Sequence, residues 1–249
     1  MRRIRLTVAY DGTNYHGWQI QPGVVTIESV LNEALRDLFG EEIQVIGASR
    51  TDSGVHARGN VAVFDTESRM AADRVCFALN QRLPQDIRVQ DSCEVPLDWH
   101  PRKQRCVKTY EYKILNRRME LPDARLYTYF YYYNLDLEQM RRGAAYLVGE
   151  HDFKSFCSAR TQIEDTVRTI YSLEISRNQE DVVTIRIKGS GFLYNMVRII
   201  AGTLLNVGNG HTEPQEVLRI LEARDRREAG PTAPAKGLTL IGMEYEKTP

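Results

Sequence analysis

The sequence predicts an α+β protein made of two ferredoxin-like βαββαβ halves in pseudo-twofold relation, with mainly antiparallel sheets joined around a central active-site cleft. Three observations carry that prediction. Apolar residues switch repeatedly between a period of two and a period near 3.6 along the 249 residues. The segments so defined read βαββαβ twice in succession. No low-complexity linker argues for independent modules. The halves run over residues 1–103 and 104–249, the second with an extra strand and an extra helix.

The first strand is Arg3 to Tyr10, where Ile4, Leu6 and Val8 alternate with polar residues before the turn pair Asp11-Gly12. Ile27, Val30, Leu31, Ala34, Leu35 and Leu38 then recur at helical spacing, with Thr26 placed to cap the helix and Gly40 just past its end. Strand-like runs at Ile43 to Ala48 and Asn60 to Asp65, a helix over Ala71 to Leu83 and a strand over Ile87 to Val95 complete the first half. The second half opens with Cys106 to Leu115 as the extra strand. The β-prone run Leu126 to Tyr133 follows, then an amphipathic helix carrying Leu137, Met140, Ala144 and Leu147. Strands Val167 to Ile175 and Val182 to Lys188 come next. A helix from Phe192 to Asn206, a shorter one started by Pro214 and a closing strand from Leu238 to Tyr245 end the chain.

Composition excludes several classes of protein. With 42% hydrophobic and 27% charged residues the chain is neither disordered nor fibrous. The 33 basic and 33 acidic residues cancel, so any nucleic-acid surface must be a local patch. The most apolar stretch, Phe192 to Val207, is interrupted by Asn195, Arg198 and Asn206, which argues against a membrane span. Met1, Arg2 and Arg3 lead straight into the first strand, so the expectation is an unprocessed, cytoplasmic protein. Cys76, Cys93, Cys106 and Cys157 are spaced 17, 13 and 51 residues apart, which is no metal-ligand spacing and fits reduced, mostly buried thiols.

Four segments carry chemistry. Ser49 to Ala57 packs Arg50, Asp52 and His56 into one loop, where Asp52 either turns the backbone or serves as an ionised carboxylate held by a cation such as Arg50 or Arg198. From Arg102 to Arg118 seven basic residues face one acid, Glu111, a local balance of +6. Within that run Lys108, Tyr110 and Tyr112 fall on one face of a strand, a pattern suited either to stacking bases and neutralising phosphates or to a solvated edge. The tyrosines between Tyr127 and Tyr133 read as sheet core and rim. Arg198 stands alone in an apolar helix and so needs a carboxylate or an anionic ligand. Gly230 to Leu238 reads as a rigid loop.

Taken together, these segments resemble the tRNA pseudouridine synthase A family, over about Arg5 to Tyr245. The resemblance rests on Tyr10-Asp11-Gly12-Thr13 with Tyr15, Gly17, Trp18, Gln19 and Gln21, and on Arg50-Thr51-Asp52 followed by Gly54-Val55-His56-Ala57. It continues through Lys108-Thr109-Tyr110-Glu111-Tyr112, His151-Asp152-Phe153 with Ser155-Phe156, the Phe192 to Arg198 segment and the Thr232 to Leu238 loop. Ser49 and Ser53 depart from the pattern, standing where the family usually has glycine and alanine.

The resemblance implies isomerisation of uridine to pseudouridine at positions 38, 39 and 40 in the anticodon stem-loop of tRNA, by a homodimer without a cofactor. It implies that Asp52 is the essential aspartate, acting as nucleophile or base, that Tyr110 is the active-site tyrosine, and that Arg198 pairs with Asp52. Arg50 helps displace the base on that reading. Lys103, Arg105 and Lys108 join Arg50 and Tyr110 as the expected substrate-binding set, from the basic run. Two rival readings stay open from the residues alone: an N-glycosyl hydrolase acting on RNA, and a non-catalytic RNA-binding module in which Asp52 is only a turn residue.

Overall fold

The computed structural model describes residues 1–158 and 164–246. The chain is mixed α+β with mostly antiparallel strand pairing, and it divides into two compact units. One unit comprises Met1–Cys106 together with the segment from Leu240, and the other comprises Val107–Thr239.

In the first unit, β1 (Arg2–Tyr10), α1 (Ile27–Phe39), β2 (Ile46–Gly47), β3 (His56–Thr66), α2 (Ala72–Asn80) and β4 (Ile87–Val95) follow one another. The sheet order is β4-β1-β3, with β2 added to β3, and β1 runs antiparallel to both of its neighbours. Ile4, Leu6, Val8 and Tyr10 of β1 are buried, while the residues between them are half-buried, the alternation read from the sequence. Helix α1 starts where the Thr26 side chain accepts from the Ser29 N–H and Ser29 Oγ accepts from the Thr26 N–H. It stops at Gly40, whose φ of 68° is left-handed. Each of its buried apolar residues, Ile27, Leu31, Ala34 and Leu35, lies on one stripe, and each Leu or Ile so buried contributes ~1.5–3 kcal/mol.

Strand β3 departs from alternation because it is covered on both faces. Val61 and Val63 join Ala48 and Trp99 in a buried cluster, flanked by Ile46, Val95, Met243 and Tyr245. On the opposite face Phe64 meets Phe39 of α1 at 5.8 Å between ring centroids. The expected strand Ile43 to Ala48 shrinks to the two residues of β2, while Ile43 and Val45 are still buried. The segment turns into core before it pairs.

The second unit holds β5 (Cys106–Leu115), β6 (Tyr129–Phe130), α3 (Leu137–Ala145), β7 (Gly149–Asp152), β8 (Val167–Arg177), β9 (Val182–Gly189), α4 (Met196–Gly208), α5 (Glu216–Ala223) and the start of β10 (Leu238–Tyr245). Its sheet order is β5-β9-β8-β7, and β6 lies parallel to the end of β5. Strand β7, which the periodicity did not predict, pairs with the beginning of β8.

Two expectations are corrected here. The run Leu126 to Tyr133 keeps only two residues in the sheet, because Asn116 Nδ2 donates to the carbonyls of Tyr131 (2.8 Å) and Tyr133 (2.7 Å) and draws the chain into a loop. None of its five tyrosines is fully buried, so they form a rim and not a core. The helix expected from Phe192 begins at Met196, since Asn195 sits at φ 62°, outside right-handed helical space. Helix α4 is buried on all sides, Arg198 and Asn206 being its two residues that are not.

Candidate active site

In the first unit the segment between β2 and β3 carries Arg50 and Asp52, and its backbone is held from several directions. Trp18 N–H donates to the Thr51 carbonyl at 3.0 Å, and Thr51 Oγ1 shares a 2.8 Å hydrogen bond with Tyr10 Oη. Buried Asn60 receives the Ser49 N–H and donates to the Ser49 carbonyl at 2.9 Å. Gly17 has φ 82°, and a Cβ there would lie 2.5 Å from the Thr51 carbonyl oxygen. Two backbones therefore touch where only glycine fits. Gly54, at φ 76°, turns the chain back after Asp52, and the Val55 N–H closes the turn on the Asp52 carbonyl at 3.1 Å. Ser49 and Ser53 are not at positive φ, so neither departure from the family pattern strains the loop.

Within this frame Asp52 is half-buried and Arg50 is exposed. His56 is 3% exposed and its Nδ1 receives the Gly12 N–H at 3.1 Å, which ties the first turn of the chain to the start of β3. That is a structural role. Lys103 and Arg105 are exposed on the same unit, and the Arg105 carbonyl receives the Glu246 N–H at 3.2 Å.

In the second unit Arg198 lies in the first turn of α4. Its Nε donates to the Ala233 carbonyl at 2.7 Å and its Nη1 to Asn195 Oδ1 at 3.0 Å, while the Ala233 N–H donates to the Arg198 carbonyl at 3.1 Å. The left-handed Asn195 thus spends its side chain on Arg198 instead of capping the helix. The loop bearing Ala233 lies directly on α4: a Cβ on Gly202 would come within 1.8 Å of the Pro231 carbonyl, and Thr203 Oγ1 receives the Gly230 N–H at 2.9 Å. Arg226 spans the same loop, donating to the Ala229 carbonyl and to Thr232 Oγ1, each at 3.2 Å.

Tyr110, on β5, is 7% exposed and meets Phe192 edge-on at 5.2 Å. Tyr112 is fully buried and its hydroxyl donates to the Pro234 carbonyl at 2.8 Å, so the expected open face of Lys108, Tyr110 and Tyr112 is corrected to a mostly buried one. Burial pushes the Tyr112 phenol far above its usual range, an effect the nearby positive charge of Arg198 opposes. Lys108 is half-buried. Lys113, also in the basic run, lies 3.7 Å from Glu111, which Arg186 engages at 2.8 Å. The one acid of the basic run, already counted in the +6 balance, is therefore shared between Lys113 and Arg186.

Sequence reasoning missed Asn60 and Arg226 as supports, because a polar residue in a strand and an arginine in a charged loop carry no periodic signal. Among the described residues no group of three or more His, Cys, Asp or Glu side chains is placed to hold a metal ion. No helix among them is long and apolar enough to cross a membrane.

Residues 6–102 and 144–246 match a family model described as tRNA pseudouridine synthase. The chain is 46% identical over 245 residues to a tRNA pseudouridine synthase A of Thermoanaerobacter sp. (strain X514), covering 98% of this chain and 100% of that protein. It is 48% identical over 246 residues to the protein of the same name from Brevibacillus brevis, with coverage of 98% and 100%. With that of Caldicellulosiruptor bescii it shares 45% over 245 residues, at the same coverage.

Proposed function

This chain belongs to the tRNA pseudouridine synthase family and isomerises uridine to pseudouridine in tRNA, and on that premise we propose that it acts at positions 38, 39 and 40 of the anticodon stem-loop with Asp52 as its catalytic residue. The reaction breaks the N1–C1′ bond, turns the base and joins C5 to C1′. The C5 proton leaves and N1 gains one, so atoms and electrons balance without oxidant, reductant or water.

The observation that carries the assignment is the Thr51–Asp52 backbone, held by Trp18, Tyr10 and the close approach of Gly17. A loop fixed this firmly supports a half-buried carboxylate with one task, and here the task is that of nucleophile or base toward the sugar or the uracil. Arg198, aimed by Ala233 and Asn195, is the cation that keeps Asp52 ionised. Tyr110 meets the flipped base or takes up its C5 proton, and Arg50 helps displace the base from the stack. Flipping costs a few kcal/mol, offset by contacts to the extruded nucleotide and to flanking phosphates.

The remaining parts of the reading are that Lys103, Arg105 and Lys108 contribute to holding tRNA, that two copies of the chain act together, and that the enzyme works in the cytoplasm. The order β4-β1-β3-β2 in the first unit supports reading that half as ferredoxin-like. The second half carries β6 and β7 in addition.

Tritium release from C5-labelled uridine placed singly at position 38, 39 or 40 of a tRNA tests the proposal. Wild-type protein is expected to release it from each and Asp52→Asn from none. Free uracil as product would instead support the hydrolase reading, and full activity of Asp52→Asn would overturn the role of Asp52.

A further inference from the structure

Arg102 opens the basic run that ends at Arg118, and its surroundings are unusual. Its Nε donates to the Gly47 carbonyl at 2.8 Å, on the strand that leads directly into Ser49, Arg50, Thr51 and Asp52. That anchor is built on core. Trp99, three residues before Arg102, shares a buried cluster with Ala48, one residue after Gly47. The Tyr245 ring packs edge-on against Trp99 at 5.1 Å, and its hydroxyl donates to the Pro101 carbonyl at 3.1 Å. The Arg102 N–H donates to His100 Nδ1 at 3.2 Å, which fixes the start of the side chain as well.

With Nε so employed, the two terminal nitrogens of Arg102 have no acceptor among the described residues, and neither Arg102 nor Arg50 forms an ion pair with a carboxylate there. The two guanidinium groups also feel each other. Burial and the charge of Arg50 both lower the Arg102 pKa, and Glu28 offsets this in part. Glu28 is itself occupied, since its Oε2 receives the Ile20 N–H at 2.8 Å. Holding two like charges near each other is unfavourable unless an anion completes the arrangement. The other charged and titratable groups beside them are Lys103, which adds to the positive field, and His100, which burial and the neighbouring cations keep toward its neutral form.

We propose that Arg50 and Arg102 together form a binding site for one phosphodiester of the tRNA backbone, at the edge of the loop that carries Asp52. A guanidinium pinned through Nε presents both terminal amino groups outward, a planar fork that matches two phosphate oxygens. Arg50 and Asp52 are two residues apart, at most ~7 Å along extended chain, so the phosphodiester is one close to the reacting uridine. The site holds the backbone while the base leaves the stack, which converts contact energy into extrusion. The proposal rests on the reading of the Asp52 loop as the reaction site.

The test uses the full chain and tRNA carrying a single neutral methylphosphonate, on a 2′-deoxy nucleotide, at each linkage flanking the target uridine in turn. Affinity is measured over a range of salt concentrations. Wild-type protein is expected to lose affinity about 10-fold at one linkage or two adjacent ones. Arg102→Gln is expected to bind unmodified tRNA with a similar loss, to be insensitive to the same methylphosphonate, and to show a salt slope smaller by ~0.7–0.9, the share of one phosphate. Arg102→Lys keeps the charge without the fork, so its slope should stay near wild type while affinity falls a few-fold. It also serves if the glutamine variant fails to fold. An unchanged slope together with undiminished methylphosphonate sensitivity in the folded variant overturns the proposal. Binding is read apart from turnover, so an active Asp52→Asn would remove the catalytic reading and leave these binding results to be judged independently.

Discussion

Arg198 and Ala233 hold each other through two hydrogen bonds, Arg198 Nε to the Ala233 carbonyl at 2.7 Å and the Ala233 N–H to the Arg198 carbonyl at 3.1 Å. A side chain gripped by a backbone group that its own residue grips in return has little freedom to turn. The first turn of α4 and the loop before β10 therefore act as one mount for a guanidinium. This explains why Gly202 and Gly230 are needed where those segments cross, since a Cβ on either would strike the other's backbone.

Removing that guanidinium should expose the electrostatics of the reaction. If Arg198 is the cation that holds Asp52 ionised, as proposed, Arg198→Leu should raise the pKa of Asp52 and move the acid limb of the kcat/KM profile to higher pH. An unmoved acid limb would assign the task to another cation, with Arg50 first.

Arg226 should act through that mount. It ties Ala229 to Thr232, next to Ala233, and burial lowers its pKa from the usual arginine range. Arg226→Gln should lower kcat more than it raises KM, and should add little once Arg198 is already Gln, because residues acting through one another are not additive. Full additivity of the two substitutions would separate Arg226 from Arg198. A silent Arg198→Gln would remove the premise itself.

Tyr110→Phe preserves the edge-on packing with Phe192 and deletes only the hydroxyl. A proton-transfer role predicts a single-turnover rate lower by ~10² or more, whereas a contact role predicts a rate near wild type. The near-complete burial of Tyr110 limits its role as an open stacking platform, and the larger loss is expected.

Gly17→Ala should show how firmly the Asp52 loop is held. The substitution meets both a left-handed φ of 82° and a 2.5 Å approach to the Thr51 carbonyl. A destabilisation of ~1–3 kcal/mol is expected, measurable by denaturant unfolding. Activity should fall further than tRNA affinity, because the displaced peptide is the one preceding Asp52. Unchanged stability and rate would show that the loop yields at no cost.

His100 provides a pH dependence of known sign. Burial, followed by Lys103, Arg102 and Arg3, lowers its pKa below the usual 6.5. The folded state therefore favours neutral imidazole. The stability this contributes is present above 6.5 and is lost as pH falls through the lower folded value. NMR titration should show the His100 resonance moving at a pH below that of a free imidazole side chain, and His100→Gln should flatten the acid side of the stability profile. A His100 midpoint above 6.5 would reverse this expectation.

Much of the fold was legible because its signals are local. The period of β1, the Thr26 and Gly40 ends of α1, and the bounds of β4 and β5 depend on residues within a turn or a strand of each other. Asp52, Tyr110 and Arg198 were likewise readable as candidates, since an acid between turn residues, a tyrosine among cations and a lone arginine in an apolar helix stand out by type and spacing.

What the sequence by itself determined, then, was the element order, the family and the identity of the residues to test. Tertiary structure decided which side chains are available and which are spent. Tyr112 turned from a surface candidate into a buried anchor through its bond to Pro234, residues 131–133 left the sheet for Asn116, and Asn195 gave up helix capping to hold Arg198. Each outcome turns on a hydrogen bond to a partner at least three residues away, and for Tyr112 the separation is 122. For Tyr112 and Asn116 no helix- or strand-length window of sequence contains both groups whose competition with water sets the result, and Arg198, though close to Asn195, is itself oriented by Ala233, 35 residues on.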